Sequence, residues 1–272
     1  MTTRTLRVGS VPYLVGRPLD DGLGDEPGVD LVHAVPSALV DGLRAGELDV
    51  ALVSSIELFR RPGYSYLDGP VVAGDGPVSS VRVFLRRPAY EVRRVALDPA
   101  SRTSVTLVRC LERELGFDGV AYEELAPGRD PRRDSDADAW LRIGDGALAE
   151  SLAEPELAAL DPCATWRRAT GLPFVFACWI VAPGVEIEPH AAAFARARAR
   201  GTARAEALAT AHARASGLPA EAVAHYLVHE CVYDVGSRLH PALDAFATRA
   251  AALGLADARH APERVPVPAP SV

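Results

Sequence analysis

The chain has 272 residues, 49% of them apolar, with a formal net charge of −7. That is enough for two lobes around a sizeable core, and the acidic balance argues against a general nucleic-acid binder while leaving room for a local positive pocket. The opening MTTRTLRVGSVPYLVG has no apolar h-region with a small-residue cleavage site, and no run reaches membrane-spanning length, so a cytoplasmic protein without membrane contact is expected.

Leu6–Val11 reads as a buried strand broken by Pro12 and Gly16, with Pro18 opening a short helix over Pro18–Leu23. Val29–Val35 is a second strand. Pro36 starts a helix over Ser37–Ala45 that Gly46 ends, with Leu39, Val40 and Leu43 on one side. Leu48–Val53 is a third strand, running into Ser54-Ser55 and a short helix, Ile56–Arg60. Alternating strands and helices indicate a parallel α/β sheet, whose ligands sit beyond the carboxyl ends of the strands. Pro12–Val15, Ser54 and Ser55 lie at such ends.

Arg61–Gly76 looks like loops with short strands, and Val78–Arg86 like a strand. Val95–Leu97 opens a second lobe, with a helix over Thr103–Leu115, strands over Gly119–Glu123 and Ala139–Ile143, and a helix over Ala147–Ala153. Phe174–Val181 is the most apolar strand. Pro189–Ala215 is a helix or a helix pair broken at Gly201, and Pro219–His229 and Leu239–Leu253 are further helices. The proline-rich segment 261–272 has no core pattern and is expected to be disordered. Two strand-like crossings then describe a hinged clamshell: residues 1–88 plus 178–260 as one lobe, 89–177 as the other.

The stretch VALDPASRTSV, Val95–Val105, carries the first chemical signal. A strand that hands over to a helix through Ser and Thr makes a natural anion site, because the first helical N–H groups lack internal partners and sit at the positive end of the dipole. Ser101, Thr103 and Ser104 add hydroxyl donors there, and Arg102 can pair with a carboxylate. Asp145 follows a strand end of the second lobe, where a carboxylate serves best by holding a donor in place. The cysteines (Cys110, Cys163, Cys178, Cys231) include no CxxC pair and read as free, mostly buried thiols. His225 and His229 are spaced for one helix face, but Tyr226 stands where the HExxH motif needs glutamate, so no metal site is expected. Arg196–Arg204 has no aromatic platform for nucleic acid.

Six segments, in order, resemble the menaquinone-biosynthesis family of chorismate dehydratases: RVGSVPYL (Arg7–Leu14), GELDVALVSSIE (Gly46–Glu57), DGPVSSV (Asp75–Val81), VALDPASRTSVTL (Val95–Leu107), IGDGAL (Ile143–Leu148) and TGLPFVFACW (Thr170–Trp179). The SRTS and TGLPF segments fit the dehydratase better than the naphthoate synthase of the same route. The resemblance implies an α/β fold similar to type 2 periplasmic binding proteins, with a ligand cleft between two lobes. It also implies a cytoplasmic lyase of the futalosine route that needs no cofactor or metal and takes chorismate, converting it to 3-[(1-carboxyvinyl)oxy]benzoate. Carried onto this sequence it makes Ser80 the catalytic serine. Beside it, Ser54, Ser55, Ser79, Arg102, Thr103, Ser104 and Asp145 are the substrate-binding candidates. In place of the family's YLN this chain has Tyr13-Leu14-Val15, and valine can neither donate nor accept a side-chain hydrogen bond. A non-catalytic or weakly active binding or sensor protein of the same fold is therefore the alternative reading.

Overall fold

Two continuous apolar stretches, Val50–Val53 and Phe174–Val181, form the middle of the first sheet. In the computed structural model, which describes residues 5–257 and 259–268, β1 (Leu6–Ser10) pairs in parallel with both β2 (Val29–His33) and β3 (Val50–Ser54). α1 (Arg17–Asp20) lies between β1 and β2, and α2 (Pro36–Ala45) between β2 and β3. Every residue of β3 is buried, as a strand covered on both faces requires. α2 buries Leu39, Val40 and Leu43 and ends at Gly46, whose φ of +71° supplies the left-handed turn after the helix.

β4 (Ser65–Gly74) follows, then the second sheet: β5 (Val81–Leu85), β6 (Arg94–Leu97), α3 (Thr103–Cys110), β7 (Ala121–Glu124), β8 (Ala139–Ile143), α4 (Gly144–Ala153) and β9 (Ala159–Leu160). α5 (Pro162–Thr170) leads back to β10 (Phe174–Val181). Helices α6 (Glu188–Ala203), α7 (Ala205–Ser216), α8 (Ala220–His225) and α9 (Leu239–Ala252) precede β11 (Glu263–Pro266). Strand order is β11-β4-β10-β3-β1-β2 in the first sheet and β7-β6-β8-β5-β9 in the second. Two α/β sheets joined by two crossings make the expected two-lobed clamshell.

Several expectations need correcting. The sheets are mixed, not parallel, because β10 runs antiparallel between β3 and β4 and β5 runs antiparallel to β8. β5 belongs to the second sheet and all of β10 to the first, so the second sheet is built from one continuous piece, 81–160, and the first from its two flanks. Residues 65–74 form one long strand where loops with short strands were expected, Gly69-Pro70 having masked its continuity. Tyr66 pairs with Ile180 and Val71 with Cys178, so 67–70 stand opposite Trp179 in a bulge that accommodates the proline.

The segment expected to be disordered contains β11, parallel to β4 with Val265 buried. It covers the edge that β4 would otherwise expose; residues 269–272 of that segment lie outside those described. The predicted helix over Thr103–Leu115 stops at Cys110 and continues as turns to Gly116. α5 answers to local signals that went unread. Asp161 caps it by accepting from Ala164 N–H at 2.8 Å, Pro162 takes its first turn, and Gly171 ends it. The same carboxylate accepts from Val78 N–H at 2.8 Å, tying the two crossings together.

The long helical region breaks at Arg204, not Gly201. Gly201 sits inside α6 because α1 packs on it: a Cβ there would lie 2.3 Å from the Pro18 carbonyl oxygen and 2.5 Å from its Cα. Glycine to alanine inside a helix ordinarily stabilises by about 1 kcal/mol. At this position the sign reverses, and Gly201→Ala is expected to cost about 1–3 kcal/mol in urea unfolding; a gain would mean that α1 and α6 are not in backbone contact.

Candidate functional site

A cleft opens where the carboxyl end of β3 meets the start of α3. Tyr13 and Val15 enter it from the loop after β1, Ser54 from β3, Ser80 from the first crossing, and Ser101, Thr103 and Ser104 from the head of α3. Its empty space, open mouth included, is about 720 Å³.

Local structure fixes the donors. Arg102, the residue before α3, offers no side-chain cap. Ser101 Oγ instead accepts from Ser104 N–H at 3.1 Å. The rest of the first turn, at the positive end of the helix dipole, favours an anion. Thr103 Oγ1 accepts from Ile56 N–H at 3.4 Å, which leaves the hydroxyl proton to be donated. The Ser80 carbonyl accepts from Gly144 N–H at 2.8 Å, pinning the crossing to the head of α4. Behind the lip, Asp98 accepts from Ala100 N–H at 2.9 Å and Ile143 N–H at 3.2 Å. Burial pushes its carboxyl above the usual range even against those bonds.

No Asp, Glu, Lys, Arg or His is among the described residues that line the cleft. The ionisable groups that do line it are poor bases at neutral pH. Burial pushes the Cys231 thiol up to about 12. Burial, with Asp98 and Asp145 nearby, raises the Tyr13 phenol. The arrangement is a mostly apolar slot with a few neutral hydroxyl and backbone donors from both lobes.

Of the residues singled out in the sequence, Ser54, Ser80, Ser101, Thr103 and Ser104 are brought together, and Ser55, Ser79, Arg102 and Asp145 are not. Ser55 is fully buried and donates its hydroxyl to the Val175 carbonyl at 2.7 Å. Ser79 is spent on Glu230, its N–H and hydroxyl donating to the two carboxylate oxygens at 2.5 and 2.8 Å. Arg102 turns out of the cleft toward Asp41, 3.9 Å away, and lines a neighbouring recess with Arg60. Asp145 accepts from Leu14 N–H at 3.3 Å and lies 3.9 Å from His212. It thereby holds the loop that carries Tyr13 and Val15, and burial raises its carboxyl. Sequence reasoning missed Phe176 and Cys231. Phe176 lies within the TGLPFVFACW segment, whereas nothing local to Cys231 pointed to the cleft. Among the described residues, no group of three His, Cys, Asp or Glu is placed to hold a metal ion, and no helix is long and apolar enough to cross a membrane.

A sequence model of the menaquinone biosynthesis family matches residues 6–252. The chorismate dehydratase of Thermus thermophilus is 35% identical over 168 residues, 56% of this chain and 61% of the relative. That of Campylobacter jejuni is 30% identical over 165 residues, 61% of this chain and 58% of the relative. The chain thus spans about three-fifths of the length of these curated relatives. Among solved structures, protein AF1704 from Archaeoglobus fulgidus superposes with a TM-score of 0.73 at 19% identity, covering 94% of this chain and 100% of that one. The periplasmic aliphatic sulphonate binding protein SsuA from Escherichia coli superposes at 0.66 and 20% identity, covering 97% and 94%. At these identities the likeness speaks for the fold, the periplasmic-binding-protein-like clamshell, and for nothing finer.

Proposed function

We propose, because this chain belongs to the menaquinone biosynthesis family, that it is a chorismate dehydratase of the futalosine route. It would act in the cytoplasm, removing water from chorismate to leave 3-[(1-carboxyvinyl)oxy]benzoate. The observation that carries this reading is the lining of the cleft, which offers hydroxyl and helix-terminal donors from both sheets and no side-chain base. The elimination takes a ring proton and the allylic hydroxyl, which leave together as water while the ring becomes aromatic, so no redox partner is needed. A positioned base must accept the ring proton, and with Tyr13 and Cys231 held protonated the substrate's own enolpyruvyl carboxylate is the group at hand. The protein's part is then orientation and charge stabilisation. Ser80 donates to the leaving hydroxyl or to a carboxylate, and Ser54, Thr103 and Ser104 hold the dianion.

The test is to mix purified protein with chorismate and follow the aromatic product. Product formation is expected; none under conditions where a related dehydratase turns over would overturn the reading. Val15 favours the second reading, a binding or sensor protein, because its isopropyl group occupies the cleft wall beside these donors. Val15→Asn is expected to raise kcat several-fold by adding an amide donor, about the worth of one net hydrogen bond. A chorismate-induced rise in Tm without turnover, in both wild type and Val15→Asn, would support the sensor.

A further inference from the structure

The serine pair Ser79-Ser80 is gripped from a distant part of the chain. α8 does not end in an ordinary turn but widens into a single π turn, Tyr226–Glu230, closed by Cys231 N–H donating to the Tyr226 carbonyl at 3.2 Å. Such turns are rare and recur at functional sites. The segment after it is docked on β4: Val232 and Ala73 exchange N–H···O bonds of 2.8 Å each way. The turn is thus anchored to the same strand that leads into the first crossing.

Both ends of the turn point at the serines. Glu230 accepts from the N–H and the hydroxyl of Ser79 at 2.5 and 2.8 Å. Tyr226 is 1% exposed, and its hydroxyl lies near the Ser80 side chain and the Cys231 thiol without making a hydrogen bond to either. A buried hydroxyl without a partner is unfavourable, and one kept beside a cleft serine has a use. Ser80 itself is 6% exposed, with its carbonyl already bonded to Gly144.

We propose that the π turn Tyr226–Glu230 is the positioning element of the cleft serine, with Glu230 fixing the backbone at Ser79 and the Tyr226 hydroxyl holding the Ser80 side chain in the rotamer that serves the substrate. No proton moves between these residues; the buried tyrosine acts by limiting where the Ser80 hydroxyl can turn. This inference rests on the dehydratase reading. Tyr226 does not line the cleft and acts only through Ser80.

The test uses the full chain and compares Tyr226→Phe with wild type for kcat, KM and Tm. The substitution removes one oxygen and no volume that packing needs. The expected result is a kcat lower by about tenfold, with KM within twofold and Tm unchanged or higher. In a Ser80→Ala background Tyr226→Phe is expected to have no further effect, which a merely structural role would not produce. Glu230→Gln, which replaces one acceptor oxygen with a donor, is expected to lower kcat in the same pattern. Wild-type kcat in Tyr226→Phe, or an equal loss with and without Ser80, overturns the inference while leaving the dehydratase reading intact. A wild type that makes no aromatic product overturns the reading and the inference with it.

Discussion

Arg44→Met is expected to lower the free energy of unfolding by about 3–5 kcal/mol, read by urea denaturation. Glu57 is fully buried and accepts from Arg44 Nε at 2.7 Å and Nη2 at 2.8 Å. The carboxylate lies in the 3-10 turn Ser55–Phe59, and the guanidinium in the last turn of α2. Hydrogen bonding to Glu57 holds the Arg44 guanidinium above its usual range despite partial burial. Removing the arginine leaves a buried carboxylate without its hydrogen-bonded counter-charge, with only the Arg60 guanidinium nearby, and that under-compensated burial makes up most of the loss. Two further variants separate this cause from lost packing. Arg44→Lys keeps the charge but not the two-pronged geometry and should lose an intermediate amount. Arg44→Met combined with Glu57→Leu removes both charges and should recover most of the stability. A single-variant loss under about 1 kcal/mol, typical of a solvated surface pair, would show that Glu57 finds water or another donor. The pair also bears on the cleft, since it locks the turn that follows Ser54 against α2.

What could be read from the sequence follows physical lines. β3, β10 and α2 were legible because buried strands are continuous apolar runs and Gly46 marks a helix end by its own backbone freedom. β4 was not, because Gly69-Pro70 are read as breakers unless one knows that a bulge opposite Trp179 receives them. β11 was not, because its reason for existing is the open edge of β4, a fact of tertiary structure.

The cleft divides in the same way. Strand ends identified Ser54, and the strand-to-helix handover identified Thr103 and Ser104. Neighbouring positions were over-counted, because successive side chains turn to different sides: Ser55 points into the core toward Val175, and Ser79 toward Glu230. Those partners lie 120 and 151 residues away in the chain, so no local pattern discloses them. Arg102 shows the limit of matching charge to charge, since its long side chain swings toward Asp41 and leaves the anion-facing lip to backbone and hydroxyls.

Ser80→Ala is expected to lower kcat for chorismate about 10²–10³-fold, the effect of deleting one preorganised donor at a site of developing charge. The size follows from what the cleft lacks. With no Lys, Arg or His among the described lining residues, the proposed dehydration has only oriented hydroxyls and amides to meet charge on the leaving oxygen. On that proposal Ser80 is the donor held in place to do so. It is 6% exposed, its carbonyl is bonded to Gly144 N–H at 2.8 Å, and its neighbour Ser79 is clasped by Glu230. A donor so fixed needs little reorganisation when the C–O bond breaks. Because the gain is realised in the transition state, kcat and kcat/KM should fall together, with KM within a few-fold of wild type. Ser55→Ala is the matched control. It removes a hydroxyl of the same kind that is bonded to Val175 O outside the cleft, so it should reduce stability by about 1–3 kcal/mol and leave kcat in place. Equal kcat losses in the two variants would mean that the effect runs through folding. A Ser80→Ala enzyme with wild-type kcat would move the leaving hydroxyl to another donor, with Thr103 and Ser104 next in line.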